Sequence, residues 1–140
     1  MLQAAFYKST RQGIAGIYNR LVRWWDNGKY SHVEIIFSDG LSGSSSFMDG
    51  GVRLKKIEYD PEKWDFVELD INELKARTWF ENHQGCKYDI IGNLRFLIDF
   101  LPDNNDKFFC SEAIAESFGY SDSWRYSPNI LFSIVSYRSK

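Results

Sequence analysis

The sequence predicts an α+β fold that forms one domain over residues 1–140. Short runs with strand-like patterns fill the first half of the chain, and helix-like spacing with capping residues fills the second half. The chain has 140 residues, of which 44% are hydrophobic and 17% aromatic. That is enough apolar material to build one core without disulfides or metal ions.

The first half contains strand-like segments separated by turn residues. An apolar run ends at Ser38-Asp39-Gly40, and the serine-rich segment after it is compatible with a strand that has one wet face. Asp49-Gly50-Gly51 then gives a strong turn signal, and two alternating segments follow. We therefore expect an antiparallel sheet. Its predicted strands cover residues 3–9, 30–37, 41–48, 52–57 and 64–69.

Helical signals are less frequent in the first half and dominate the second. Apolar residues recur at helical spacing over 13–25, and Gly28 supplies the turn that ends this helix. Asn72 is a good N-cap for a helix, Gly119 ends another, and Ser127-Pro128 places a cap and a first-turn proline at the start of the last. The predicted helices cover residues 13–25, 72–84, a segment that begins near Asp89, 110–118, and a segment that begins at Ser127.

Composition argues against several classes of function. The net charge is −2 and the isoelectric point is about 5.7, so the basic excess that is typical of nucleic-acid binding is missing. No apolar run approaches the roughly 18 residues of a membrane span. The N-terminal residues lack the pattern of a secretory signal peptide, so a cytoplasmic protein is expected. The sequence does not indicate an oligomeric state.

Cysteine and histidine are scarce, and their spacing does not indicate a metal site. The two cysteines are Cys86 and Cys110, and the two histidines are His32 and His83. Neither pair has the close spacing that zinc-binding motifs use, and nothing indicates an oxidising compartment. No metal and no organic cofactor are expected.

One pair of residues carries a specific chemical signal. His32 lies in an apolar strand-like segment, and Cys110 lies where a loop turns into a helix. The thiolate is the reactive form of cysteine, and the N-terminal end of a helix stabilises negative charge. An imidazole beside it can take the thiol proton and return it to a leaving group, while backbone N–H groups at the helix end hold an oxyanion. Cys110 is therefore the candidate nucleophile and His32 the candidate general base.

His83 and Cys86, at i and i+3, form the competing pair. It is the weaker hypothesis, because the turn that carries Cys86 offers no clear oxyanion donors and no supporting strand.

Four stretches of this sequence together resemble a known group of thiol hydrolases. The sequence is similar to the circularly permuted branch of the NlpC-type papain-like superfamily, near YiiX-like and lecithin retinol acyltransferase-like proteins, over residues 21–131. In that branch the histidine strand precedes the cysteine helix. The stretches are Tyr30-Ser31-His32-Val33, Asp49-Gly50-Gly51-Val52, Tyr88-Asp89 with Gly92, and Cys110-Ser111-Glu112.

The resemblance implies an antiparallel sheet with the cysteine helix packed against it, and hydrolysis or transfer at an amide, ester or thioester carbonyl. It also implies a third polar residue on the strand after the histidine strand, which here falls within Ser44–Ser46, with Ser45 slightly preferred. Relatives often carry Glu, His, Gln or Asn at this position, so a serine departs from the pattern. Glu34 is the alternative, because a residue two positions from His32 lies on the same face of its strand. Tyr7 is a further candidate, for an oxyanion contact.

Two functions follow as hypotheses. The first is a cysteine hydrolase, a peptidase or amidase or an acyl-ester hydrolase, that works through an acyl-enzyme on Cys110 with His32 and either Ser45 or Glu34. The second is an inactive binding module of the same fold, in a phage or bacterial accessory protein, that recognises a peptide, a lipid or a cell-wall fragment. The weak third residue motivates the second hypothesis.

Overall fold

A computed structural model describes residues 1–10, 28–88 and 107–138, together with Gly16 and Arg20, which are helical. The rest of the predicted helix at 13–25, and the helix predicted to begin near Asp89, lie outside the described residues.

The described residues form a mixed α+β structure, and this confirms the predicted class. Seven strands pair in the order β5-β1-β2-β3-β4-β6-β7. All neighbouring pairs are antiparallel except β6 and β7, which run parallel. The strands are β1 (Gln3–Tyr7), β2 (His32–Ile36), β3 (Leu41–Ser46), β4 (Gly51–Lys56), β5 (Trp64–Glu68), β6 (Lys87–Tyr88) and β7 (Lys107–Phe108).

Three described helices follow or interrupt the last strands. They are α1 (Glu73–His83), α2 (Cys110–Ser117) and α3 (Pro128–Arg138), with a 3-10 turn at Ser123–Arg125 before α3. Helix α1 begins at Asn72 as predicted, because the Asn72 side chain accepts a hydrogen bond from the N–H of Lys75. None of these helices is long and apolar enough to cross a bilayer.

The helices cover one face of the sheet. On β2, Val33 and Ile35 are fully buried and belong to the main core cluster, together with Phe80 of α1 and Ile114 of α2. Gly43 of β3 faces the same side, because a Cβ placed there would lie 3.0 Å from the Phe80 ring. The missing side chain at this position therefore lets α1 approach the sheet closely.

The opposite face carries a smaller cluster and the charged residues. Ala5, Tyr7 and Trp64 form its buried part, and Tyr59, in the connection between β4 and β5, packs against it. The Tyr59 ring meets the Trp64 ring edge to face at a centroid distance of 5.0 Å. The alternation of β2 sends His32 and Glu34 to this face, away from Val33 and Ile35.

Strands β6 and β7 are missing from the sequence-based prediction. Each has only two residues, which is too short to show any periodicity. Their parallel pairing also departs from the expected wholly antiparallel sheet. The five predicted strands are present, with ends that differ by one or two residues.

Candidate functional site

His32 is the first residue of β2 and lies at one end of the sheet. His32 pairs with Tyr7 of the neighbouring strand β1, and Glu34, two positions further along β2, pairs with Ala5 of β1. Side chains two residues apart on a strand share a face. The geometry agrees, since His32 Nε2 and Glu34 Oε1 are 2.7 Å apart.

Glu34 is an almost fully buried carboxylate, with a side chain only 1% exposed. The Arg53 guanidinium binds it in a two-pronged arrangement, with Nη1 donating to Oε2 at 2.6 Å and Nη2 donating to Oε1. Burial alone raises the pKa of this carboxyl, but the hydrogen bonds from Arg53 and His32 outweigh it and lower the pKa to about 2. Glu34 is therefore ionised at any pH where the protein would work.

Cys110 is the first residue of α2, as expected from the sequence. Phe109 caps the helix in an extended conformation, and its N–H donates to the Glu112 carboxylate at 3.3 Å. Helix α2 packs against β2, β3, α1 and α3. Residues on nearly every side of α2 are buried, so its N-terminal end is held firmly against the sheet.

The thiol of Cys110 interacts with the His32 ring. Burial lowers the pKa of this imidazole, but the negative charge of the Cys110 thiolate and a hydrogen bond to Cys110 raise it, and Glu34 raises it further. The net result is a His32 pKa of about 9. Because Nε2 is bound to Glu34, Nδ1 is the ring nitrogen left for the sulfur. The arrangement favours a protonated imidazole between the Cys110 sulfur and the Glu34 carboxylate.

Cys110 is a buried residue. Cys110 is 3% exposed and belongs to the main hydrophobic cluster as well as contacting His32. The thiol thus sits at the boundary between the core and the polar group around His32.

Ser45 lies on the opposite face of the sheet from Glu34. Gly43 and Ile35 are paired on the helix-covered face, and alternation along β3 puts Ser45 on that same face. Ser45 is fully buried, and the hydrogen bond from the imidazole goes to Glu34. Of the two sequence-based alternatives for a third residue, the geometry favours Glu34.

Two aromatic residues lie beside the His32 ring. Tyr7 is its cross-strand neighbour and is 7% exposed, and its ring packs on that of Trp64 at 4.9 Å. Trp64 meets the imidazole edge to face at 6.2 Å. These rings shield the imidazole from water on the side away from the helices. The predicted oxyanion contact of Tyr7 stays a prediction.

The competing pair of His83 and Cys86 is arranged differently. The His83 ring stacks on Trp79 at 4.1 Å, and its Nδ1 bonds to the Trp79 carbonyl at 2.7 Å. Cys86 follows in the turn after α1, where its N–H donates to the His83 carbonyl at 3.0 Å. No cluster of three or more His, Cys, Asp or Glu side chains in metal-binding geometry occurs among the described residues.

Arg53 is the residue of this site that the sequence analysis did not assign. It lies on β4 between Val52 and Leu54, which are core residues, so alternation puts it on the face of Glu34. A charged residue inside an alternating strand, four positions after Asp49, was the available signal.

Comparison with known proteins adds no relationship. No protein-family model matches the sequence, and no curated protein matches it closely enough to indicate common ancestry.

Proposed function

We propose that this protein is a thiol hydrolase in which Cys110 is the nucleophile, His32 the acid and base, and Glu34 the residue that orients the imidazole. One observation carries the proposal. A partly buried imidazole interacts both with a carboxylate and with a thiol that stands at the first position of a helix. This is the arrangement that activates a cysteine for acyl transfer.

The first half of the proposed reaction forms an acyl-enzyme. The Cys110 thiolate attacks the carbonyl carbon of an amide or ester, a carbon–sulfur bond forms, and the carbonyl oxygen takes the negative charge. In this proposal, backbone N–H groups at the start of α2 stabilise that oxyanion. The tetrahedral intermediate collapses when His32 donates its proton to the leaving nitrogen or oxygen, which departs as an amine or alcohol.

The second half regenerates the enzyme. Neutral His32 takes a proton from water, and the resulting hydroxide attacks the thioester carbonyl. The carbon–sulfur bond breaks, the thiolate returns, and the product leaves as a carboxylic acid. Because Glu34 is held ionised, it stabilises the imidazolium at the start and at the end of the cycle.

The proposed fold relationship is to the permuted papain-like group. Support comes from the order of the elements, with the histidine strand before the cysteine helix and that helix packed against the sheet. The substrate class that this relationship implies is a peptide, an amide or an acyl ester.

The test compares three proteins: the natural sequence, Cys110→Ser, and Cys86→Ser as the matched control. Each is treated with a small thiol-directed electrophile, and hydrolysis of an activated ester and of a peptide amide is followed. We expect fast labelling and hydrolysis in the natural sequence and in Cys86→Ser. In Cys110→Ser we expect no hydrolysis and only the slow labelling of an ordinary thiol at Cys86, which is a free cysteine. Equal labelling of Cys110→Ser and the natural sequence would refute the proposal.

One observation favours the second function, an inactive binding module. Cys110 as a whole residue is only 3% exposed, which restricts access by a substrate carbonyl. A binding module predicts that Cys110 reacts no faster than a free thiol, for which the pKa is about 8.5. The pH dependence of Cys110 labelling in Cys86→Ser therefore separates the two functions.

A further inference from the structure

We propose that Arg53 is a positioning residue for this site: anchored by Asp49, it fixes Glu34 against His32 and sets the pH range in which the thiolate–imidazolium pair exists. The inference rests on the proposed function and adds to it a residue on a different strand, with a defined role.

The contacts of Arg53 use three of its nitrogens. Nη1 and Nη2 bind the two oxygens of Glu34, and Nε donates to Asp49 Oδ2 at 2.8 Å. The Arg53 side chain is only 14% exposed. A planar guanidinium held at both ends has little freedom to rotate, so the Glu34 carboxylate that it holds is also fixed.

Oxygen Oε1 of Glu34 contacts both the Arg53 guanidinium and the His32 ring. It accepts from Arg53 Nη2 and lies 2.7 Å from His32 Nε2. Any rotation of the carboxylate would therefore move the imidazole hydrogen bond. Arg53 acts on His32 only through this shared atom, which is why it is a positioning residue rather than a catalytic one.

Arg53 can reach Glu34 because the strand between them has a small side chain there. Strand β3 separates β2 from β4, and Ser44 of β3 pairs with Arg53. The Ser44 hydroxyl turns away to donate to the Val33 carbonyl at 2.7 Å. The guanidinium and the carboxylate then meet over Ser44, across two strand spacings of about 5 Å each.

The charges of the site alternate from the thiol to the surface. The Cys110 thiol, which is the thiolate in the proposed reaction, interacts with the His32 ring, then come the Glu34 carboxylate, the Arg53 guanidinium and Asp49. Lys55 ends the series with a contact of 2.7 Å to Asp49. Removing the central cation leaves a buried site with one more uncompensated negative charge, and every neighbouring proton is then harder to remove.

Other titratable groups face the site but do not replace Arg53. Tyr59 donates to Ser42 at 2.8 Å, and burial and then the charge of Glu34 raise its pKa, so it stays neutral. Tyr7 faces His32 from β1, and Glu112 on α2 binds the N–H of Phe109. None of these three supplies positive charge to Glu34.

The experiment uses the full chain with Cys86→Ser, so that Cys110 is the single thiol. Arg53→Gln removes the charge, and Arg53→Lys keeps the charge but loses the two-pronged contact. For each protein, the alkylation rate of Cys110 by iodoacetamide and the NMR titration of the His32 ring are followed against pH. Far-ultraviolet circular dichroism checks folding.

For Arg53→Gln we expect the acid limb of the alkylation profile and the His32 titration both to move to higher pH, by about 1 unit. For Arg53→Lys we expect less than half that shift. We also expect the hydrolysis rate, measured in the pH-independent plateau of its pH profile, to fall about tenfold because the Glu34 carboxylate is no longer fixed. Should Arg53→Gln fail to fold, Arg53→Lys carries the test through its loss of plateau hydrolysis together with a shift of less than about half a pH unit.

Two results would each refute a different proposal. If Arg53→Gln titrates like the parent in both measurements, or if Arg53→Lys keeps full plateau activity, the role of Arg53 is refuted while the hydrolase proposal stands. If the parent protein itself alkylates like a free thiol, the proposed hydrolase fails. The His32 titration then still decides whether Arg53 controls the imidazole.

Discussion

Replacement of Glu34 by glutamine tests the electrostatic core of the site. The amide has nearly the same shape as the carboxylate but carries no charge, so Arg53 loses its buried counterion. The Glu34 pKa is lowered from 4.5 to about 2, a difference of about 2.5 units. At about 1.4 kcal/mol per unit, the ionised form of Glu34 contributes about 3 kcal/mol to the free energy of unfolding. That agrees with the cost of roughly 3–5 kcal/mol for breaking one side of a buried ion pair.

The stability contributed by Glu34 should decrease as the pH falls. Because the folded-state pKa of Glu34 is depressed, its contribution is fully present above pH 4.5 and is lost as the pH falls toward 2. The difference in unfolding free energy between the natural sequence and Glu34→Gln should be about 3 kcal/mol near neutral pH, and it should approach zero near the acid end of that window.

Urea unfolding at a series of pH values measures this difference directly. Glu58→Gln is the matched control, since Glu58 is exposed, and it should change stability by less than about 0.5 kcal/mol at every pH. A difference in unfolding free energy between Glu34→Gln and the natural sequence that is below about 1 kcal/mol at neutral pH, or that does not change between neutral and acid pH, would refute the electrostatic account.

Three further predictions follow from individual contacts. His32→Gln should cost most stability below pH 6.5 and progressively less as the pH rises through 9, because the folded-state pKa of His32 is raised; urea midpoints against pH measure this, and a gap that grows with pH contradicts it. Ser111 is fully buried and its hydroxyl has no hydrogen-bond partner among the described residues, so Ser111→Ala should be neutral or stabilise by up to about 1 kcal/mol. Ser117→Ala, which loses a 2.8 Å hydrogen bond to the Ile114 carbonyl, should instead destabilise, and thermal melts of both serine variants measure the difference. Gly51 has a φ of 147° and a Cβ there would lie 1.9 Å from the Cys86 carbonyl oxygen, so Gly51→Ala should cost about 3 kcal/mol. Gly40, with a φ of 81° and open space around it, is the control and should cost about 1 kcal/mol on the same substitution.

The parts of the site that sequence could predict are those set by local patterns. His32 and Glu34 are two residues apart on a strand, so their shared face follows from the strand period alone. Cys110 at the start of a helix follows from the loop before it and the helical pattern after it. Both placements hold in the structure.

The parts that sequence could not predict depend on register between strands. The choice between Glu34 and Ser45 required knowledge of which face of β3 each serine occupies. A strand of nearly uniform small polar residues carries no hydrophobic alternation from which to read that face. The contact from Arg53 to Glu34 spans two strand pairings, and strands β6 and β7 exist only through their pairing with β4 and with each other.

The composition of β3 itself has a structural explanation on both of its faces. Toward the helices, Gly43 leaves the space that the Phe80 ring fills, so α1 packs close to the sheet. Toward the other face, Ser44 leaves the space over which Arg53 reaches Glu34. A larger side chain at position 43 would push α1 away from the sheet. A larger side chain at position 44 would separate Arg53 from Glu34. The sequence suggests one wet face for this serine-rich strand, but β3 is a buried central strand. Its small side chains let the core and the polar network approach it from opposite sides.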